Sequence, residues 1–462
     1  MPIEDILNSS LSEEAKIAAL KEKAIVVPAW GGRTGLKKEY DPKLHPVMDK
    51  SLYPDIVNDD GTIEPQTRIT FDLQRLAVKR MTELASGTPV KRIYSPENDR
   101  QKEIAGYIES ILDRNRIDSV NNERLNLLFS GCEFITLWYA TDTPNNLYGF
   151  NAPLKLRCRN FSPVLGDELY PLFDEYGDMI ALSIGYRRKV GARTVQYFDA
   201  YTANRHIKWS NAEGSSMTTV EDEVSTLGKI PAIYIWRPTP IWEDTSKIVY
   251  EMEWAMSRNG NYLRKNSKPI FAVFADDIVD YGNEDDKEAR TIMQFPKGAN
   301  AGYLTWAQAV ENLKFYIAEL RQSFFTQLQL PDWSYESMKS APMSGESRKQ
   351  LFIDALLKVK DESGRLIEGF DREVNVIKAF LKTMLPTAYH ADIDALPVEH
   401  EVTAFVINEE KDTITNLMTA NGGKPIMSQR ESIESYGKSK DVDKTLKEIA
   451  EQEAQDVYEP FN

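Results

Sequence analysis

Residues 310–385 constrain the fold of this chain more than any other stretch, because they predict two long helices joined by a proline-containing loop. Apolar residues of the first helix recur at spacings of three and four, which places them on one helical face. These residues are Leu313, Ile317, Leu320, Phe324 and Leu328. Pro331 ends the helix because proline cannot donate to the helical hydrogen-bond ladder. A polar loop follows as far as Pro342.

A second, longer helix is predicted from Ser344, which is a suitable N-cap. Its apolar positions are Phe352, Leu356, Val359, Ile367, Phe370, Val374, Ile377, Leu381 and Met384. Ser363 and Gly364 interrupt this rhythm and therefore predict a kink or break. From Gly345 to Leu385 a continuous helix would be about 60 Å long. A helix of that length in a soluble protein needs neighbours to bury its apolar face, so assembly is already suggested.

Length and composition indicate a folded protein of several lobes. A chain of 462 residues exceeds one ordinary core, and contents of 42% hydrophobic and 27% charged residues are typical of globular proteins. No apolar run approaches the roughly 18 residues of a membrane helix. The first residues lack the basic and apolar regions of a secretory signal, and Cys132 and Cys158 form no CxxC motif. We therefore expect a protein of the reducing cytosol without a disulfide framework or zinc site.

Helices come first in the chain and strands follow, which predicts an α+β fold. Helices are predicted over 12–23, with Ser12 as the cap, and over Thr67–Leu84, Glu103–Asn115 and Asp118–Leu128. Runs rich in β-branched and aromatic residues, separated by turn clusters, then predict an antiparallel β lobe. The predicted strands are Glu133–Tyr139, Lys155–Arg157, Ile180–Tyr186, Val195–Phe198 and Ala232–Trp236.

The next part of the chain predicts a helix, a small β insertion and another helix. Asp244–Asn266 is the first helix, Ile270–Phe274 is a strand, and Val310–Leu330 is the second helix. An acidic stretch, Asp276–Glu288, follows the strand. If the two helices lie side by side, they form a stalk with the β insertion at its tip.

No motif in the sequence predicts catalysis, a metal site or a cofactor. His45, His206, His390 and His400 are the only histidines, and none lies in an HExxH or other paired metal-ligand spacing. GxSxG, Walker A and kinase signatures are absent from the sequence, so a translocating ATPase would have to be a separate partner. The glycine-rich stretch Gly31–Gly35 lacks the Lys-Ser/Thr ending of a phosphate-binding loop, and we expect a flexible loop. His390 with Asp392 and Asp394 could hold a cation, but a hydrated turn is the simpler interpretation.

Many short motifs, none specific alone, follow one another in a recognisable order. They are Arg68–Phe71 leading to Gly87-Thr88-Pro89-Val90, Gly131–Ile135, Tyr197–Thr202, Gly228–Pro231, Ser344–Ser347, Val402–Phe405, Gly422–Ser428 and the acidic tail Val442–Glu453. In this order they resemble the portal proteins of long-tailed double-stranded-DNA phages, over roughly Arg68–Glu453. The stretch Ser257–Asn261 departs from the Asn and Ser common in that family's first stalk helix. Gly260 should also weaken this helix by about 1 kcal/mol relative to alanine.

The resemblance implies a ring, usually of twelve subunits, at one capsid vertex, through which double-stranded DNA is packaged and ejected. Implied partners are the terminase large subunit, the major capsid and scaffolding proteins, and a head-completion or tail adaptor. The expected location is the virion, after assembly in the host cytoplasm, with no membrane and no cofactor. The implied domains are a peripheral segment (1–66), a wing (67–243), a stem (244–266 and 309–330), a clip (267–308), a tunnel loop (331–344), a long wing helix with return strand (345–412) and a crown (413–462).

The resemblance also implies where DNA and partners would be contacted. Tunnel-loop candidates are Trp333, Tyr335, Glu336, Met338 and Lys339. Lys339 is the only basic residue between Arg321 and Arg348, which makes it the candidate for DNA contact. The alternative for Trp333, Tyr335 and Met338 is to pack the loop against neighbouring subunits. Clip candidates for docking the motor or adaptor are Asp276, Asp277, Asp280, Glu284, Asp285 and Asp286. These acidic residues could instead be an ordinary solvated face.

The net charge of −15 agrees with a channel that lets DNA pass. Twelve copies at −15 each would carry about −180 formal charges, and an acidic wall does not bind phosphates tightly. Two alternatives stay open. One is a metal-dependent nuclease on an α+β core, for which Glu284-Asp285-Asp286 is the densest carboxylate cluster of the implied clip. The other is a structural capsid or adaptor protein without a channel.

Overall fold

The computed structural model describes residues 3–24, 36–266, 270–274, 300–304, 310–332, 352–405, 419, 425, 427–436 and 442–456. The chain divides into two compact units. The first consists of Met1–Trp333 with Ile353–Phe405, and the second of Ser334–Phe352 with Val406–Asn462.

Ten α-helices lie in the described part of the first unit. They are α1 Ile3–Leu7, α2 Glu13–Lys23, α3 Leu36–Tyr40, α4 Leu73–Ser86, α5 Asp99–Arg114, α6 Ile117–Gly131, α7 Ser246–Asn266, α8 Val310–Gln327, α9 Ile353–Met384 and α10 His390–Ala395. In the second unit, α11 (Gln429–Tyr436) and α12 (Val442–Asp456) contact each other, and Arg430 pairs with Asp443 at 2.9 Å. No helix among the described residues is long and apolar enough to cross a membrane.

The strands of the first unit are all paired antiparallel within the described residues. They are β1 Ile56–Val57, β2 Ile63–Glu64, β3 Lys91–Tyr94, β4 Glu133–Thr141, β5 Lys155–Phe161, β6 Glu168–Phe173, β7 Met179–Val190, β8 Arg193–Thr202, β9 Arg205–Ser210, β10 Thr218–Val224, β11 Ala232–Trp236, β12 Ile270–Phe274, β13 Asn300–Leu304 and β14 Val398–Glu401. Their sheet orders are β10-β9-β8-β7-β6, β11-β4-β5, β1-β2, β12-β13 and β14-β3. This mixture of helices with antiparallel sheets agrees with the predicted α+β class.

The five-stranded sheet is covered on one face by the N-terminal helices. Its core is formed by Ile6, Leu7, Ile17 and Leu20 from α1 and α2, with Phe198, Ala200, Ile207 and Trp209 from β8 and β9. Ser12 caps α2 as predicted, since its side chain accepts a hydrogen bond from the Ala15 N–H. The sequence did not predict β6, β9 or β10. Strands β6 and β10 are the two edges of this sheet, where Pro171 and a charged, exposed run weaken the apolar pattern.

Helix α9 packs its apolar face on the three-stranded sheet and on α4. At Gly369 the helix lies so close to β11 that a Cβ atom would be 2.3 Å from Ile235 Cδ1, so a larger residue would require the Ile235 side chain to move. Of the predicted kink or break at Ser363 and Gly364, the break is wrong, because α9 continues through both residues. Gly364 is exposed with nothing within 4 Å of its side-chain position, so this gap in the apolar rhythm costs no core contact.

A buried ion pair joins α6, α9 and the three-stranded sheet. The Arg124 guanidinium binds both carboxylate oxygens of Glu373, at 2.9 and 2.5 Å, and both side chains are 4% exposed. The Trp138 indole N–H donates to Glu373 Oε1 at 2.8 Å, and Arg124 Nε donates to Thr136 Oγ1 at 2.8 Å. Asn121 Oδ1 accepts a further bond from Arg124. The network therefore satisfies both charges inside the core.

Two of the boundaries that differ from the prediction are explained by contacts with distant parts of the chain. The helix predicted from Thr67 begins at Leu73, because residues 67–71 bind to α7 in extended form, as described below. The predicted final strand Val402–Phe405 lies just beyond the observed strand β14, which pairs with β3 and ends at Glu401. The Phe405 N–H instead donates to the Leu84 carbonyl at the end of α4, at 2.8 Å.

We expect Arg124→Met to lower the free energy of unfolding by about 3–5 kcal/mol, because it leaves the Glu373 carboxylate buried without a counter-charge. Chemical denaturation followed by tryptophan fluorescence measures this loss. The double variant Arg124→Met/Glu373→Leu removes the stranded charge and should recover most of it. A single variant within about 1 kcal/mol of the native protein would contradict a central role for this pair.

Candidate functional site

The predicted helix–β–helix stretch forms two neighbouring helices, α7 and α8, joined by the β-hairpin of β12 and β13. These four elements are called the hairpin-tipped helix pair. Helices α7 and α8 contact each other, and β12 and β13 between them pair antiparallel with Ile270 opposite Leu304. The Tyr316 hydroxyl of α8 donates to Glu251 of α7 at 2.9 Å. This confirms the predicted order of elements, with α7 beginning two residues after the predicted Asp244.

The predicted apolar face of α8 is buried unevenly. Phe324 and Leu328, near the end of the helix, are fully buried, whereas Leu313, Ile317 and Leu320 are only half-buried. The opposite face exposes Phe315 at 67%. In one isolated chain, the half of α8 next to the hairpin therefore has apolar surface that no other described residue covers.

An extended segment, residues 65–72, runs along α7 and is called the strap here. Three of its backbone N–H groups donate to α7 side chains: Thr67 to Asn261 Oδ1 at 2.6 Å, Ile69 to Ser257 Oγ at 2.8 Å, and Phe71 to Glu253 Oε1 at 2.8 Å. Two residues of extended chain advance about 6.6 Å and four helical residues about 6 Å. Every second strap residue therefore lies opposite a hydrogen-bond acceptor on every fourth residue of the helix. Because these strap N–H groups are bonded to α7, no helix starts at Thr67.

Gly260 explains the departure noted in the sequence of α7. A Cβ atom at this position would lie 2.9 Å from Thr67 Cγ2, so a larger residue would push the strap away from the helix. The predicted loss of helix stability at Gly260 is offset by the hydrogen bond between the Thr67 N–H and Asn261, because glycine leaves room for the strap at this point. Helix α7 continues past Gly260 to Asn266.

His45 ties the N-terminal segment to the same part of α7. Its Nδ1 lies 2.7 Å from Glu253 Oε1 and its Nε2 lies 2.8 Å from the Glu39 carbonyl, and the His45 and Glu253 side chains are fully buried. Because both neighbours are acceptors, only the doubly protonated ring satisfies both bonds. Burial opposes this charge, but the hydrogen bond and charge of Glu253 outweigh it and raise the pKa of His45.

The end of α8 is closed by a left-handed residue. Gln329 has φ +54°, and the Leu330 N–H bonds back to the Phe325 carbonyl at 3.2 Å. A residue in this conformation after the last helical turn, with that backward bond, is the Schellman ending of a helix. The chain therefore leaves α8 in a fixed direction before Pro331.

Three basic side chains hold the chain where it leaves α8. Lys358 of α9 donates to the Leu328 carbonyl, and Arg80 of α4 donates to the Pro331 carbonyl at 2.8 Å. Arg321 donates to Asp332 at 2.9 Å. Burial lowers the pKa of Lys358 to about 8, and the nearby Arg237 adds to this effect, so the ammonium is still mostly charged at neutral pH. These contacts form a rigid base for the segment that follows.

The residues predicted for DNA and partner contact lie outside the described residues. This holds for the tunnel-loop candidates Trp333, Tyr335, Glu336, Met338 and Lys339, for the clip candidates Asp276, Asp277, Asp280, Glu284, Asp285 and Asp286, and for the Gly31–Gly35 stretch. The structure describes the residues next to these two candidate segments. Asp332 directly precedes the tunnel-loop candidates, and β12 directly precedes the clip candidates.

The His390 region forms a short helix rather than the predicted turn. His390 begins α10, in which Asp392 pairs with Arg100 at 2.9 Å and Asp394 pairs with Lys382. Each carboxylate is thus held by a different basic side chain. Within the described part of the chain, no group of three or more His, Cys, Asp or Glu residues could hold a metal ion.

A comparison with protein families relates this architecture to known proteins. The family model described as "Phage portal protein, SPP1 Gp6-like" matches residues 34–458, which is most of the chain. The chain belongs to this phage portal family. The resemblance found in the sequence is thereby confirmed, and the matched range includes the strap, the hairpin-tipped helix pair and α9.

Solved structures similar to this portal-family chain include chains from gene transfer agent (GTA) particles. The neck of an empty GTA particle, computed with C6 symmetry, has a TM-score of 0.42 at 11% identity and covers 91% of this chain and 98% of its own. A chain from the virion of a native GTA particle has a TM-score of 0.42 at 10% identity, with coverages of 92% and 99%. The neck of a native GTA particle, computed with C12 symmetry, has a TM-score of 0.38 at 10% identity, with coverages of 86% and 91%. No curated protein sequence matches the chain.

The sequence analysis missed the residues that fix this portal-family helix pair. Glu253, Ser257 and Asn261 recur every four residues on α7, beside its apolar positions. That spacing places three hydrogen-bonding side chains in one row, and the row was the signal that could have revealed the strap. His45 gave no comparable signal, because its partner lies 208 residues away in the sequence.

We expect Ser257→Ala to destabilise the strap by about 1 kcal/mol, because the Ile69 N–H loses its acceptor. Hydrogen–deuterium exchange of residues 65–72 should accelerate relative to α4 and α6. Lys247→Ala, on the exposed face of the same helix, is the matched control and should leave this exchange unchanged. Equal exchange in the Ser257→Ala variant and the native protein would mean that the strap is held by other contacts.

The raised pKa of His45 predicts a dependence of stability on pH. Its contribution is complete below the ordinary histidine value of 6.5 and is lost as pH rises through the higher folded pKa. Chemical denaturation between about pH 6 and 9 should show this decline in the native protein, and His45→Gln should flatten it. An unchanged slope in the variant would assign the decline to other groups.

Proposed function

We propose that this protein forms the ring-shaped portal of a phage-like particle. The ring, of twelve subunits, occupies one capsid vertex, and double-stranded DNA enters during packaging and leaves during ejection. It docks the terminase large subunit first and the head-completion or tail adaptor later, with major capsid and scaffolding proteins around it. It assembles in the host cytoplasm and stays in the virion. The family match over residues 34–458 is the observation that carries this proposal.

The geometry supports an assignment of parts. In this proposal α7 and α8 are the stem, residues 267–308 the clip, and residues 331–344 the tunnel loop. The five- and three-stranded sheets with α4–α6 belong to the wing, α9 is the long wing helix, and residues 413–462 form the crown. The basic clamp of Lys358, Arg80 and Arg321 gives the tunnel loop a rigid base, and the strap holds the stem in register with the wing.

The charge of the chain supports conduction of DNA rather than tight binding. Each neutralised phosphate adds salt-dependent affinity, which would stall a moving duplex. A net charge of −15 per subunit instead repels DNA at short range, although salt screens this repulsion beyond roughly 8 Å. Lys339 supplies the weak attractive contact in this proposal, while Trp333, Tyr335, Glu336 and Met338 shape the loop. We assign the protein no catalytic role.

We expect the purified protein to form a ring of about a dozen subunits with a central hole, visible by native mass spectrometry and negative-stain imaging. The exposed Phe315 on α8 would be covered by a second copy, so Phe315→Asp should shift the population to monomers. Lys314→Ala, at the adjacent exposed position, is the matched control. A native protein that stays monomeric and cleaves DNA with Mg²⁺ would favour the nuclease hypothesis.

We expect Lys339→Glu to leave ring assembly intact and to impair DNA packaging or retention, because the substitution turns a phosphate contact into a repulsion. Packaging assays with assembled heads measure this effect. Lys339→Arg keeps the charge and should package normally. Normal packaging by the Glu variant would remove Lys339 from the channel lining.

A further inference from the structure

A cavity lies between the five-stranded and the three-stranded sheet, far in the sequence from the stem and tunnel loop. Its volume is about 540 Å³, which is within the usual range for small-molecule sites. Its wall combines apolar side chains such as Trp138 and Phe380 with side chains from β7, β8 and β9. The portal assignment gives this cavity no role.

One buried carboxylate in the cavity has an unused oxygen. Asp199 is 5% exposed, and its Oδ2 accepts hydrogen bonds from the Tyr186 hydroxyl at 3.1 Å and from the Tyr201 hydroxyl at 3.4 Å. Its Oδ1 is buried and has no hydrogen-bond partner. Burial raises the pKa of Asp199 to about 6, against the opposing charge of Lys208. This oxygen is a hydrogen-bond acceptor that no described protein group uses.

Flat aromatic surfaces stand beside this carboxylate. The rings of Tyr201 and His206 stack with centroids 4.3 Å apart and planes 5° apart, and both line the cavity. His206 Nε2 is also buried without a hydrogen-bond partner. Tyr186, which bonds Asp199, also lines the cavity, and its ring is stacked on Tyr197 with centroids 5.3 Å apart. Such faces are the surfaces on which planar heterocyclic bases stack.

Two arginines complete the lining. Arg159 and Arg188 place their guanidinium groups 5.7 and 5.0 Å from the centre of the Tyr186 ring. Among the described ion pairs, Lys208 is bound to Glu221 and Arg205 to Asp222, whereas neither Arg159 nor Arg188 has a carboxylate partner. Arginine held in this way is suited to bind a phosphate through paired N–H groups.

We propose that this cavity binds a nucleotide whose base carries an amino group. The amino group would donate to Asp199 Oδ1, the base would stack on the aromatic rings, and the phosphate would bind Arg159 and Arg188. Carboxylates accept hydrogen bonds from the amino groups of bases, and guanine, adenine and cytosine all carry one.

Isothermal titration of the native protein with GMP, AMP and CMP tests this proposal. We expect saturable binding that weakens for UMP, which lacks the amino group, and for guanosine, which lacks the phosphate. Asp199→Ala should lower the affinity for GMP by about tenfold or more. Glu133→Ala is the matched control, because Glu133 is also a buried carboxylate bonded to a tyrosine hydroxyl but does not line the cavity.

The arginine variants keep the test decisive even if Asp199→Ala does not fold. Arg188 and Arg187 are exposed neighbours on β7 whose side chains point to opposite faces, and only Arg188 lines the cavity. We expect Arg188→Ala to lower the affinity for GMP but not for guanosine, and Arg187→Ala to lower neither. If a short single-stranded DNA competes with GMP, the ligand is the end of a nucleic-acid strand. If it does not compete, the ligand is a free nucleotide.

Two results would overturn the proposal. One is no saturable binding of any of the three nucleotides by the folded native protein up to about 10 mM. The other is binding that Arg187→Ala and Arg188→Ala reduce equally, which would indicate general charge attraction. Both results are independent of the ring, since binding is measured on whichever oligomer the protein forms.

Discussion

The bidentate ion pair between Arg124 and Glu373 is the interaction on which the arrangement of the first unit depends. It joins α6 to α9, and through Trp138 and Thr136 it also joins both helices to β4. Burying two charges is unfavourable unless each is paired and hydrogen-bonded, so this network tolerates only one placement of the helix against the sheet. Gly369 lies one turn before Glu373, where α9 and the Ile235 side chain of β11 are in close contact.

The same principle recurs where the helix pair joins the rest of the first unit. Glu253, Ser257 and Asn261 capture the strap, His45 binds Glu253, and Arg80 and Lys358 bind carbonyls at the end of α8. Each contact pairs a side chain with a backbone or side-chain group far away in the sequence. Such directional bonds fix orientation more strictly than apolar packing, which is non-directional. A helix pair held in this way suits the proposed ring, whose subunits would have to keep one geometry while DNA moves past them.

The two proposals concern different surfaces and are carried by different chemistry. The ring depends on the family match, on the exposed apolar side of α8 and on an acidic chain that does not bind phosphates tightly. The nucleotide site depends on a local exception to that acidity, where Arg159 and Arg188 lie beside a buried carboxylate with an unused oxygen. Charge therefore acts differently on a long duplex and on a small ligand. The net charge sets the response to a long duplex, and single side chains set the response to a small ligand.

The sequence by itself determined the long helices of the first unit, about half of the strands, the helix–β–helix order and the family, because local periodicity and motif order do not depend on distant contacts. It misplaced the start of α4, expected a break in α9 and missed the edge strands β6 and β10. Only the tertiary structure decided those features, along with the strap, the Arg124–Glu373 pair and the cavity around Asp199. Their partners lie 182 to 249 residues apart for the strap and the ion pair. A pattern read along one stretch of chain cannot show which distant group will satisfy a buried polar atom, because folding alone brings the two together.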